Sequence, residues 1–173
     1  MLDRTIFVFL SDNGQTFGDH RWDYKLVPYE RSIKVPFLMS GPGIVPRLIP
    51  KVVMNVDLVP TILDLAGATQ LPSDGLSLEP LLAATGTLSS SGVLLEHKHY
   101  GSRPMPDYCC FRTASWMFAR YDDDNGTQEE ELYNLVHDPN ELRNVVSLKT
   151  TKAATLRRKR YLNGCDPSIV PAP

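Results

Sequence analysis

Cysteine is scarce in this chain: there are three, Cys109, Cys110 and Cys165. An odd count with one adjacent pair is not a disulfide framework, and the absence of any Cys-x-x-Cys spacing speaks against a zinc cluster. One bridge, from Cys109 or Cys110 to Cys165, stays open. An excess of charge of either sign is also missing. The net charge is −2, so no global basic field favours nucleic acid or an anionic membrane. No stretch approaches the roughly 18 apolar residues of a membrane span. The opening residues, Met1-Leu2-Asp3-Arg4-Thr5, lack the basic and apolar pattern of a secretion signal. That absence leaves the compartment open, because a chain that starts on a strand is expected to begin within a longer protein.

What is present is a globular composition. Hydrophobic residues make up 42% and charged residues 22%, which suffices for a real core and argues against disorder. Residues 5–10 (TIFVFL) form an apolar run of strand length without alternation, which predicts a strand buried on both faces of a parallel α/β sheet. Ser11-Asp12-Asn13-Gly14 ends it with turn chemistry, placing Asp12 and Asn13 at a carboxyl strand end, where ligands gather in open α/β sheets. Residues 15–34 read as an irregular loop with a helical turn around Tyr29–Ser32. A second short strand covers Val35–Met39. Residues 57–66 predict a helix with Asp57 as N-cap and Gly67 as stop.

The Gly/Ser/Thr stretch 85–92 marks a boundary, giving expected domains 1–88 and 89–173. After it, runs at 93–97, 108–113, 115–121 and 131–135 predict a small antiparallel sheet with a turn over 122–126. Residues 139–147 and 149–162 read as helices. On the second, Arg157-Arg158-Lys159-Arg160 is expected to spread over a solvated face. Trp116 and Phe118 share one strand face and read as core. His97 and His99 also share a face; no third metal ligand accompanies them, and a structural or rim role is expected.

Asp12 and Asn13 offer a carboxylate and an amide oxygen, both hard donors suited to calcium or magnesium. Lys25 lies in the following loop, where an ammonium group beside a metal would bind an anionic oxygen. His20 there could donate a proton to a leaving oxygen. Trp22, Tyr24 and Tyr29 around Lys25 either line a pocket or pack the loop. Each feature alone is also an ordinary turn or surface group; their order makes them informative.

The run TIFVFLSDNGQTFGDHRWDYKLVPYERSIKVPFLMSGPG, residues 5–43, resembles the sulfatase family. Downstream, Asp57–Gly67 resembles the family's next helix, and Asp74-Gly75-Leu76-Ser77-Leu78 with Pro80-Leu81-Leu82 its next loop. Phe111-Arg112-Thr113, Glu131-Leu132-Tyr133-Asn134-Leu135, Asp138-Pro139 and Glu141-Leu142-Arg143-Asn144 resemble its small antiparallel domain. The resemblance implies an α/β fold: part of an alkaline-phosphatase-like mixed sheet with helices, plus a small C-terminal antiparallel sheet packed with a helix.

The resemblance also implies a calcium ion, with Mg2+ or Mn2+ as second choices. Asp12 and Asn13 match the later half of its ligands, and the earlier aspartate pair has no counterpart here. It makes Lys25 the sulfate-binding lysine and His20 a loop residue near a sulfate ester substrate, aryl or sugar. Ile33-Lys34-Val35-Pro36 looks like members acting on sulfated glucosamine. The family's nucleophile is a formylglycine hydrate made within Cys/Ser-x-Pro-x-Arg, which attacks sulfur and later eliminates sulfate. Cys165-Asp166-Pro167-Ser168 resembles the start of that motif, but Ile169 stands in place of arginine. The nucleophile is therefore expected in a missing N-terminal half, and this chain is expected to be inactive alone. Two alternatives are a phosphodiesterase or phosphonate hydrolase of the same superfamily, and a non-catalytic binding module.

Overall fold

The computed structural model describes residues 2–88, 91–98, 107–122, 127–162 and 164. In chain order its elements are β1 (Phe7–Leu10), β2 (Thr16–Phe17), β3 (Asp23–Tyr24), α1 (Glu30–Ile33), β4 (Phe37–Ser40), α2 (Leu58–Leu65), α3 (Glu79–Leu82), β5 (Val93–His97), β6 (Asp107–Arg112), β7 (Trp116–Asp122), β8 (Gln128–Asn134) and α4 (Thr150–Leu162). They make an α/β protein with small antiparallel sheets. Two compact units form: Met1–Asp12 with Val35–Ser91, and Asn13–Lys34 with Gly92–Pro173. The loop after Asp12 thus groups with the second unit, whereas the sequence reading put it with residues 1–88.

In the first unit β1 pairs antiparallel with β4, Phe7 opposite Ser40 and Leu10 opposite Phe37. This corrects the expectation of a parallel strand buried on both faces. Phe7 is 55% and Phe9 63% exposed. The reason is simple: among the described residues no further strand joins this ribbon, so its apolar side chains lack covering layers. The unit's core lies instead around Leu78, Leu81 and Leu82, against which Phe37, Met39 and Leu65 pack. Asp57 does not cap α2 with its side chain. It lies in a 3-10 turn before the helix, and its carboxylate accepts N–H bonds from Met54 and Leu76, each at 2.8 Å. Buried Thr61 completes the tie, donating to the Asp57 carbonyl at 2.5 Å and accepting from the Leu78 N–H at 2.9 Å.

The second unit is built on the expected antiparallel sheet, in the order β5-β6-β7-β8. Alternation along the strands loads both of its faces. One face carries Phe111, Phe118 and Leu132 against Ala153 and Leu156 of α4. The other carries Tyr108, Cys110, Met117, Ala119 and Tyr133 against Val27 and Tyr29. The segment 13–34 therefore acts as a cover for the sheet, as α4 does opposite, which accounts for its grouping. Trp116 and Phe118 belong to the core as expected. Cys109 is disulfide-bonded and Cys110 is a buried free thiol; Cys165 lies outside the described residues. His97 stacks near Tyr108, with centroids 5.7 Å apart, while His99 and the turn residues 123–126 also lie outside them.

Two further expectations need correction. Residues 139–147 are turns and extended chain, not a helix. Side chains take the N–H groups a helix would use: the Asp138 carboxylate accepts from Leu142 at 3.0 Å and Arg143 at 2.8 Å, and Asn144 Oδ1 accepts from Val146 at 3.0 Å. The basic run on α4 is not wholly solvated. Arg160 follows Leu156 by four and Ala153 by seven, so helical geometry puts it on their buried face, where it is 0% exposed. Its guanidinium lies 5.7 Å from the Phe118 ring centre. Arg158 is exposed, and Arg157 pairs with Glu130.

Candidate functional site

Gly14 fixes the start of the site. A Cβ here would lie 2.2 Å from the Arg31 carbonyl oxygen, and the Gly14 N–H donates to the Ser32 carbonyl at 2.8 Å. Gly14 is thereby held against α1. In the first unit, the Asp12 carbonyl accepts from Asn55 Nδ2 at 2.8 Å. In the second, Asn13 Nδ2 donates to the Gly14 carbonyl at 2.7 Å, which fixes the amide and leaves Oδ1 as its acceptor end.

Lys25 Nζ donates to that Oδ1 at 2.7 Å. Two residues separated by twelve positions in an irregular segment are thus brought together. The backbone that achieves this is strained. His20, Arg21, Tyr24 and Leu26 all have positive φ, at 53°, 63°, 76° and 81°, a conformation costly to side chains with a Cβ. Both neighbours of Lys25 are among them, and such strain concentrates at functional sites.

His20 makes its contacts elsewhere. Its ring stacks on Tyr29, with centroids 3.8 Å apart and planes 3° from parallel, and stands edge-on to Tyr133 at 6.3 Å. Nε2 is 3.1 Å from the Asn140 carbonyl oxygen. A carbonyl only accepts, so Nε2 carries the proton and Nδ1 is left for other work. Of the three aromatics around Lys25, Trp22 and Tyr29 pack in the core, while Tyr24 is exposed.

Sequence reasoning missed a set of buried and half-buried polar residues packed with this loop. Glu131 accepts from the Tyr29 hydroxyl at 2.9 Å and the Tyr121 hydroxyl at 3.0 Å. Burial, and then the Glu131 charge, hold the Tyr29 phenol well above its ordinary range, so it remains a donor. Glu30 pairs with Arg112 at 2.8 Å. Glu141 is 2% exposed and accepts from the Glu30 N–H at 2.8 Å; burial pushes its carboxyl up to about 8. Glu131 and Glu141 stood out only as parts of short family-like runs, since no local pattern marks a carboxylate as buried.

Residues 18–165 match the family described as N-sulphoglucosamine sulphohydrolase, C-terminal. Human arylsulfatase K is 37% identical over 155 residues, which cover 84% of this chain and 28% of that protein. Human N-acetylglucosamine-6-sulfatase is 34% identical over 192 aligned residues, covering 92% of this chain and 34% of that protein. A solved structure in complex with its substrate D-glucosamine-2-N,6-O-disulfate superposes with TM-score 0.79 at 28% identity, covering 94% of this chain and 34% of the other. A phosphonate monoester hydrolase of Agrobacterium radiobacter, 22% identical with TM-score 0.75 over 94% of this chain and 35% of its own, shares the fold. The chain spans about a third of the length of these relatives. With the antiparallel sheet, the capping helix and the Asp-Asn-Gly turn in the family's order, it belongs to the sulfatases, as a C-terminal sulfatase domain.

Proposed function

We propose that this chain is the C-terminal portion of a sulfuric ester hydrolase. In this reading Asp12 and Asn13 contribute half of a calcium site, and Lys25 binds a sulfate oxygen. The observation that carries it is the 2.7 Å bond from Lys25 Nζ to Asn13 Oδ1. A cation rests on the oxygen assigned to the metal, which supports reading that oxygen as an acceptor for positive charge.

The donor type fits calcium and the donor number does not. Asp12 and Asn13 supply two hard oxygens where calcium takes about six to eight. Among the described residues no group of three or more His, Cys, Asp or Glu gathers to make up the rest. Calcium, once bound by a full ligand set, would polarise the sulfate group. The residues present here would orient that group: Lys25 donates to an oxygen on which charge builds during transfer. In its doubly protonated form, His20 would keep Nε2–H on the Asn140 carbonyl and donate from Nδ1 to the leaving oxygen.

The sequence contains no Cys/Ser-x-Pro-x-Arg motif, so the nucleophile would come from a preceding segment. The test is to assay an aryl sulfate with the 173-residue chain and with the protein read through from the coding sequence upstream. The expected results are no turnover by the chain and turnover by the longer protein. Lys25→Ala in the longer protein should lower kcat/KM by about 100-fold or more, the scale of losing one donor to the developing charge. Turnover by the chain, or an unaffected Lys25→Ala, overturns the reading.

A further inference from the structure

We propose that Asn140 and Glu141 are positioning residues for His20 and Lys25: together they clamp both ends of the strained arc 20–30. The inference rests on the sulfatase reading only for what His20 and Lys25 do to a substrate; the clamp itself stands on contacts within the second unit.

At one end of the arc His20 Nε2 meets the Asn140 carbonyl at 3.1 Å, and at the other the Glu30 N–H donates to Glu141 Oε2 at 2.8 Å. Asn140 and Glu141 are adjacent, with Cα atoms about 3.8 Å apart. One short stretch of chain therefore gathers both ends, and the His20 ring, 3.8 Å from that of Tyr29, completes the closure. The Tyr29 and Glu30 side chains bind Glu131 and Arg112 on the sheet, so what Asn140 and Glu141 add is to tie the His20 end to the Glu30 end. Arg21, Tyr24 and Leu26 lie between the ends with positive φ, a conformation that persists only where the surroundings enforce it. Lys25 stands midway, so parting the ends would shift Nζ from Asn13 Oδ1.

The clamp is itself held in shape. The Glu141 N–H donates to the Asp138 carbonyl at 3.1 Å, and the Asp138 carboxylate takes the N–H groups of Leu142 and Arg143. Glu141 is 2% exposed, and its Oε1 has no hydrogen-bond partner among the described residues. The carboxyl is therefore buried with a single bond, the one to the arc. Facing it are Glu30 and Tyr29 of the arc, Arg112 and Cys110 of β6, and Glu131 and Tyr133 of β8. The one cation among them, Arg112, is already paired with Glu30 at 2.8 Å. A proton lost from Glu141 leaves a buried charge near two carboxylates, and burial puts that loss at about 8. The clamp is closed below that pH and loosens above it.

The test follows two signals by NMR of the isotope-labelled full chain: the upfield displacement of the His20 ring protons by the Tyr29 ring, and the protection factor of the Glu30 amide. Between about pH 7 and about pH 9, either side of the Glu141 value, that protection should fall by about tenfold. Glu141→Gln, whose amide oxygen still accepts from Glu30, should keep both signals throughout, and Glu141→Ala should lose both even at the lower pH. Leu156→Ala loosens the opposite face of the sheet and should leave the ring displacement in place, which separates the clamp from general stability. In the longer protein, Glu141→Ala should lower kcat/KM for an aryl sulfate by about tenfold or more, and Glu141→Gln should restore it. Ring displacement and kcat/KM that survive Glu141→Ala overturn the positioning role, as does Glu30 protection that falls equally in the wild type and in Glu141→Gln. A longer protein without any turnover overturns the sulfatase reading alone, and the ring and amide signals still decide the clamp.

Discussion

Glu141 combines a carboxyl group, a positive φ of 56° and near-complete burial in one residue. Its folded value of about 8 stands above the ordinary 4.5, so the folded chain holds this proton more tightly than the unfolded chain. The stabilisation from the neutral form is full below about 4.5 and is lost as pH rises through about 8. Glu30 and Glu131 add like charge, and Arg112 opposes them. We expect the urea midpoint of the chain to fall between pH 5 and pH 8, with a slope of at most about 1.4 kcal/mol per pH unit from this group. Glu141→Gln should flatten that slope; an equally steep profile in the variant removes Glu141 as its source. Thr61 permits a simpler test. Its hydroxyl is fully buried and bonded on both sides, so Thr61→Val strands the Leu78 N–H, while the Asp57 carbonyl keeps the first helical bond of α2. The expected loss is about 1–3 kcal/mol in denaturant unfolding, and a loss below about 0.5 kcal/mol would show that water replaces the hydroxyl.

At the level of elements, α4 and the segment 13–34 do the same work on opposite faces of one sheet. Only α4 announces it in sequence, through length and helix-forming residues. Arg160 is the exception within α4: its Nε, Nη1 and Nη2 are buried and have no hydrogen-bond partner among the described residues. Burial, with the nearby Arg120 charge, lowers its pKa to about 10. A buried cation without a hydrogen-bonded partner is a poor source of stability, and apolar replacement of buried charged groups is often neutral or stabilising by about 1–4 kcal/mol. Arg160→Met should therefore hold or raise the midpoint of thermal unfolding. A clear drop would mean that the guanidinium contributes an interaction beyond its contact with Phe118. The segment 13–34 is opaque for the converse reason. Its order comes from Tyr29, Val27 and Trp22 reaching the sheet, and from residues with positive φ that no propensity predicts.

For the molecule as a whole, the incomplete donor set sets the expectation for metal binding. The chain should bind calcium weakly, with a dissociation constant in the millimolar range or above, since two oxygens replace only part of a hydration shell. Calorimetric titration giving micromolar binding would show that other ligands in this chain complete the site. The sequence by itself determined the family, the antiparallel sheet, the C-terminal helix and the candidate residues Asp12, Asn13, Lys25 and His20, because turn chemistry, strand alternation and motif order are local or linear properties. Only the tertiary structure decided the partners: Lys25 on Asn13, His20 on Tyr29, Arg160 and Glu141 buried, and β1 left exposed. The physical reason is that burial and pairing depend on which distant segments cover a residue. A residue's own neighbours in the chain do not encode that cover.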